Sequence, residues 1–215
     1  MIYGVIMVLQ IICLGASIAA LSVAYLQREY RMNYRILPSL LACMIIEIGY
    51  TMYLQATTLE GLKMSQQIFM VGKVLFPPFV FLAYGKMQKL QQAWKSTVLI
   101  LCVAAGLFVT STRLKDMLFG KPQIMQNQYF YYIDQTLRWP LYAFLLVAAA
   151  ELFIASYWAL KSQHSILLAL AALLPLMGET ITIFLPAYAR HYDFSAVMVA
   201  VSAILLTVGA KHVED

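Results

Sequence analysis

Charge is scarce in this sequence. Asp, Glu, Lys and Arg make up 12% of 215 residues, about half the share of an average soluble domain, against 62% hydrophobic residues and a mean hydropathy of +0.76. One soluble core cannot absorb so many apolar residues, and the chain reads as an all-α integral membrane protein. Cysteine and histidine are also rare, at three each. Cys13, Cys43 and Cys102 lie in separate apolar stretches without CxxC or Cys/His spacing, so neither a disulfide framework nor a zinc site is indicated. His164, His191 and His212 are scattered over loops and tail, which argues against a histidine-metal hydrolase. No metal and no cofactor is expected. A Gly-rich phosphate cradle, a nucleotide motif and paired catalytic carboxylates are all missing, so no residue is assigned a catalytic role and the chain is not read as an enzyme. The pI near 9.1 calls for no nucleic acid, because basic loops beside anionic lipid explain it.

What is abundant is long apolar runs. Spans of about 20 residues are needed to cross a bilayer. Seven are predicted, at Ile2 to Leu26, Ile36 to Leu54, Gln66 to Tyr84, Thr97 to Thr112, Leu137 to Trp158, Ile166 to Leu185 and Ser195 to Ala210, which makes a single seven-helix transmembrane bundle over residues 1–215. Arg28, Arg31, Arg35, Lys86, Lys89, Lys95, Lys161 and Lys211 then share one side in short, concentrated loops, which is the cytoplasmic side by the positive-inside rule. The amino terminus is outside and the carboxyl terminus inside. The basic cluster of the first span follows its apolar run, as in an uncleaved anchor and unlike a signal peptide. Trp94 and Trp158 at inner ends and Trp139 at an outer end suit an interfacial aromatic belt.

Four charges fall within these spans: Glu47, Lys73, Glu151 and Glu179. Each central charge costs roughly 2.5 to 3.5 kcal/mol on insertion scales, so such residues usually face a protein interior and often mark a site. Glu47, Lys73 and Glu179 lie six or seven residues from the outer ends of spans two, three and six, hence all on the order of 10 Å deep. Glu151 lies deeper, roughly 20 Å down, where it serves coupling or packing. Two readings stay open for the level group. One is a Glu47 to Lys73 ion pair locking spans two and three. The other is an outward-facing pocket for a small polar ligand, with Tyr50, Tyr53, Thr180 and Thr182 adding hydrogen-bonding groups.

Prolines fall at the same level. Pro77 and Pro78 deprive the carbonyls of Lys73 and Val74 of helical partners, and Pro175 does the same to Ala171, so span three is expected to bend or locally unwind. Freed carbonyls in a membrane need a neighbouring helix or a wet cavity. The longest loop, residues 113–136 and outside, carries a turn signal at Phe119-Gly120-Lys121-Pro122 and the aromatic run Tyr129-Phe130-Tyr131-Tyr132. A short hairpin or lid is one expectation, and an interfacial anchor for span five is the other.

The stretch Phe69-Met70-Val71-Gly72-Lys73-Val74-Leu75-Phe76-Pro77-Pro78-Phe79-Val80-Phe81-Leu82-Ala83-Tyr84 resembles the aromatic, glycine, Pro-Pro and apolar run ending in Tyr of the amino-terminal seven-helix sensor region of bacterial histidine kinases. Leu173-Leu174-Pro175-Leu176-Met177-Gly178 is similar to its sixth-span Leu-Leu-Pro element, and Asp193-Phe194-Ser195 to its Asp-x-Thr-Pro entrance without the Thr-Pro. Related regions precede diguanylate cyclase domains. Lys73 departs from the pattern, standing where the family more often has an uncharged residue. The resemblance implies a bacterial inner-membrane receptor, dimeric, that passes a ligand signal to a cytoplasmic kinase or cyclase domain absent from residues 1–215. Either the sequence is a segment of a longer protein or its output lies on a separate partner. The alternatives are a small ion-coupled transporter or channel, for which no inverted repeat is seen, and a photoreceptor, for which Lys73 is poorly placed.

Overall fold

The computed structural model describes residues 2–85, 122–124, 130–132, 139–184 and 193–214. They form six helices: α1 (Ile2–Leu26), α2 (Arg31–Gln55), α3 (Leu59–Gly85), α4 (Trp139–Gln163), α5 (Ile166–Phe184) and α6 (Phe194–Glu214). Strands β1 (Pro122–Ile124) and β2 (Phe130–Tyr132) pair antiparallel, with Pro122 opposite Tyr132, so the aromatic run pairs with the segment that follows the turn signal, and the signal itself does not lie between the strands. Five helices are long and apolar enough to cross a membrane, and α5 contributes a shorter apolar stretch at Ile166–Thr182. The predicted span 97–112 lies outside the described residues.

Two helices begin earlier than hydropathy predicts. Spans two and three were expected from Ile36 and Gln66, whereas α2 starts at Arg31 and α3 at Leu59. Hydropathy detects the apolar window and misses polar opening turns; that of α2 forms with no side-chain cap at Tyr30. In α3 the Thr58 hydroxyl accepts the Gly61 N–H at 3.1 Å, satisfying one of the amides that the first turn leaves without a partner.

The helices pack in a closed sequence, α1 on α2, α2 on α3, then α4, α5 and α6, with α6 returning to α1 and also touching α2. Small residues set the close approaches, as expected where lipid supplies no hydrophobic drive between helices. A Cβ on Gly49 would collide with the Phe69 backbone, and one on Gly72 would lie 2.7 Å from the Ile46 nitrogen. These contacts fix the α2–α3 register and show which face of α2 meets α3, namely Ala42, Ile46 and Gly49. Between α5 and α6, a Cβ on Gly178 would lie 2.6 Å from Ser195 Cα.

The prolines do not break the helices. α2 runs through Pro38, α3 through Pro77 and Pro78, and α5 through Pro175, so the unwinding expected beside Lys73 does not occur. The Ala171 carbonyl that Pro175 leaves without a helical partner accepts the Ser202 hydroxyl of α6 at 2.5 Å. A neighbouring helix thus supplies the missing donor. At that end of the bundle Tyr84, fully buried, donates to the Leu168 carbonyl at 2.9 Å, and Phe81 packs on Trp158 with centroids 5.0 Å apart. The α4–α5 turn needs only His164, in the left-handed region at φ 50°, and Ser165, whose hydroxyl accepts the Leu168 N–H at 3.3 Å.

Candidate functional site

Lys73 reaches from α3 to two carboxylates at once. Its ammonium donates to Glu179 Oε1 on α5 and, at 2.6 Å, to Asp193 Oδ2 at the start of α6. It also sits 4.2 Å from the centroid of the Phe69 ring, one turn earlier on its own helix. Phe69 in turn packs on Tyr50 at 5.4 Å, and Tyr50 stacks on Tyr53 at 6.0 Å. An aromatic stack therefore runs along α2 and α3 and ends on the cation.

Asp193 ties the group to α6. Its Oδ1 accepts the Ser195 N–H at 2.9 Å, as an N-cap carboxylate does. Its own N–H donates to the Tyr50 hydroxyl at 2.8 Å, and the next amide, of Phe194, donates to Thr182 Oγ1 at 3.2 Å. The Thr182 hydroxyl donates back along α5 to the Gly178 carbonyl at 2.9 Å. Burial works against the Asp193 charge, but the Lys73 ammonium and the Ser195 hydrogen bonds outweigh it and hold the carboxyl below its usual range. The amino end of α6 is thus fastened to α2 by Tyr50, to α3 by Lys73 and to α5 by Thr182.

Glu47 belongs elsewhere, and the ion pair with Lys73 considered from the sequence does not form. Glu47 is fully buried on the α1 side of α2, where Gln10 Nε2 donates to its Oε2 at 2.6 Å and to its carbonyl at 3.3 Å. Thr51 closes the cluster, donating to the same carbonyl at 2.7 Å. The physical reason is rotation about the helix axis. Ile46 faces α3 at Gly72, and the next residue is turned about 100° away by the 3.6-residue period, toward α1. Depth placed Glu47 and Lys73 at one level, but they lie on different sides of α2.

Two small cavities flank the ion triad. One, of about 40 Å3, is lined by Lys73, Glu179 and Ser195 at a polar end and by Phe76, Pro77, Leu152 and Pro175 among its apolar walls. The other, of about 50 Å3, lies between α1, α2 and α6, against Gln10, Tyr50, Asp193 and Phe194. Each has room for a few waters. Glu151 lines neither, is half-buried on α4, and enters no ion pair among the described residues.

A family model described as the N-terminal 7TM region of histidine kinase matches residues 6–213. The chain belongs to that family. No curated protein matches it. As a histidine kinase 7TM region it is a multi-pass membrane protein of the sensor part of such kinases, and no catalytic domain is shown within residues 1–215. The resemblance carried by residues 69–84 and 173–178 thus extends over nearly the whole chain.

Within this 7TM region the residues singled out from sequence separate into two groups. Tyr50, Lys73, Glu179 and Thr182 converge around Asp193, whereas Glu47 and Glu151 do not. Asp193 and Gln10 were missed as site residues. Asp193 had a readable signal, an Asp immediately before an apolar run, which is where an N-cap falls. Gln10 is uncharged and so escaped a search for charges, although a Gln within a 25-residue apolar helix at the depth of Glu47 is itself costly to bury.

Proposed function

We propose that this 7TM region is the receptor part of a bacterial inner-membrane signalling protein. A small ligand entering from the outer side reaches the Lys73 group, and α6 carries the response to a cytoplasmic kinase or cyclase output. In this reading the bundle has seven spans, residues 97–112 forming the fourth, with the amino terminus outside and the hairpin loop on the ligand side. The working unit is a homodimer in the lipid bilayer.

The observation that carries the reading is the fastening of the amino end of α6. Three helices hold one short segment, Asp193 to Ser195, through groups that a ligand can compete for, and α6 then runs to the opposite side of the bundle. A ligand that binds the fastened and released arrangements with different affinities shifts the balance between them. The same carboxylates and proline-bearing helices would also suit an ion-coupled transporter, so the experiment must separate the two.

Spin labels at Glu29→Cys and Lys211→Cys, with the three native cysteines replaced, report the far end of α6 against α1 in lipid nanodiscs. Lys73→Met is expected to shift or broaden that distance distribution, and liposomes holding the unlabelled chain are expected to show no proton- or sodium-coupled uptake. An unchanged distance distribution together with coupled uptake overturns the receptor reading.

A further inference from the structure

At the end of the bundle away from the Lys73 group, α1 and α2 meet in a four-residue turn, Gln27 to Tyr30, that carries Arg28 and leads directly into Arg31. Both arginines are exposed, and neither enters an ion pair among the described residues. The turn itself is held. The Tyr30 N–H donates to the Gln27 carbonyl at 3.1 Å, and Asn33, which is buried, donates through Nδ2 to the same carbonyl at 3.2 Å. The Arg28 guanidinium is positioned further by Tyr25, whose ring centroid lies 4.5 Å away. The ring holds the cation in place, and its N–H donors meet no carboxylate among the described residues.

A third cation joins them from α6. Ile6 and Gln10 share a cavity with Asp193 and Val197, and Thr207 Oγ1 donates to the Ala20 carbonyl at 3.4 Å, so α1 and α6 run side by side in one direction. Lys211, one turn past Thr207, therefore comes level with Ala24 and Tyr25, and it is exposed. Against Glu29 and the tail acids Glu214 and Asp215 stand four cations on α1, α2 and α6, and three lysines in residues 86–96, a segment without an acid. The balance stays positive with the neighbouring sequence counted. What adjoins these cations is tyrosine and hydrocarbon. Tyr25, Tyr30 and Tyr34 are each more than half exposed, as suits rings at headgroup level, and α1 also exposes Ile18, Val23 and Leu26, the last at 80%. A soluble anion would use the arginines alone, whereas an amphiphile uses the cations and the apolar face together.

We infer that the α1–α2 turn binds the phosphodiester headgroup of an anionic lipid, held by Arg28 and Arg31 with Lys211 beside them, while its chains lie along the exposed face of α1. Guanidinium matches phosphate through paired N–H donors, so the arginines supply geometry as well as charge. A zwitterionic head brings its own ammonium toward the same arginines, and the site favours net negative charge. It requires only a bilayer and none of the ligand signalling proposed above.

The test uses the 215-residue chain in neutral detergent, titrated with phosphatidylglycerol or phosphatidylcholine, with retained lipid counted by native mass spectrometry. Phosphatidylglycerol is expected to stay bound under conditions that strip phosphatidylcholine. Arg28→Ala should weaken that binding by about tenfold or more, the loss of hydrogen bonds between charged partners, and adding Arg31→Ala should abolish it. Arg28→Lys keeps the charge but not the planar fork, and should weaken binding by an intermediate amount. Lys161→Ala removes one charge from the end of α4 and should leave binding within about twofold, since distant exposed charges are screened. These positions are exposed, so the variants are expected to fold. Equal losses in Arg28→Ala and Lys161→Ala would mean diffuse surface charge and overturn the inference. Equal retention of phosphatidylcholine, full binding in the double arginine variant, or displacement of the lipid by millimolar inorganic phosphate overturns it too, the last by making this a soluble-anion site.

Discussion

The two faces of α2 carry polar clusters of similar depth and different character. Toward α1, Glu47 and Gln10 form a sealed pair, both essentially buried, joined by one short hydrogen bond and holding two neighbouring helices together. Toward α3 and α6, Lys73, Glu179 and Asp193 form a charged group with partial exposure and cavities on either side, which draws on α3, α5 and the start of α6. The difference separates a polar contact that locks packing from one that can be contested. Glu47 lines neither cavity and only its partner Gln10 borders one, while the charged group lies beside both and offers a ligand a route.

That contrast can be broken or sharpened by substitution. The largest expected effect is from Lys73→Met, which leaves two carboxylates facing each other without a cation. A loss of about 3 kcal/mol is expected, the low end for removing one partner of a buried ion pair because these groups keep some exposure, as read from thermal unfolding in detergent or nanodiscs. Glu47→Gln should do far less. The amide oxygen still accepts from Gln10, while the amide nitrogen replaces a buried carboxylate oxygen that already lacks a hydrogen-bond partner, so the change is expected at about 1 kcal/mol by the same measurement. If the two substitutions prove equally damaging, the distinction between a sealed pair and a contestable group collapses.

Much of this was legible in the sequence along the membrane normal and little of it around the helix axes. Rise per residue is fixed, so counting from a span end placed Lys73, Glu179 and Glu47 at one level, and Lys73 and Glu179 do meet across α3 and α5. Azimuth depends on which neighbour each helix face meets, and that is decided by close contacts such as Gly72 on Ile46 and Gly178 on Ser195, which no single-chain pattern announces. Hence Glu47 was considered as a partner for Lys73 when it faces α1. The carbonyl of Ala171, freed by Pro175, was readable as needing a donor, but that Ser202 supplies it was not. Helix starts slipped for a related reason, since capping by Thr58 extends α3 beyond its apolar window. Asp193 was read only as part of the entrance to span seven because it stands just outside an apolar run, and only the fold brings it back over Lys73.

The central claim is that Lys73 fastens the amino end of α6 through Asp193, and a double-mutant cycle measures that link directly. Asn caps a helix as well as Asp does, so Asp193→Asn removes the charge while keeping the cap. Unfolding free energies for the wild type, Lys73→Met, Asp193→Asn and the double variant should show a coupling of at least about 1 kcal/mol, the double variant recovering part of what the single Lys73 change loses. Single effects that simply add, to within about 0.3 kcal/mol, would contradict the account.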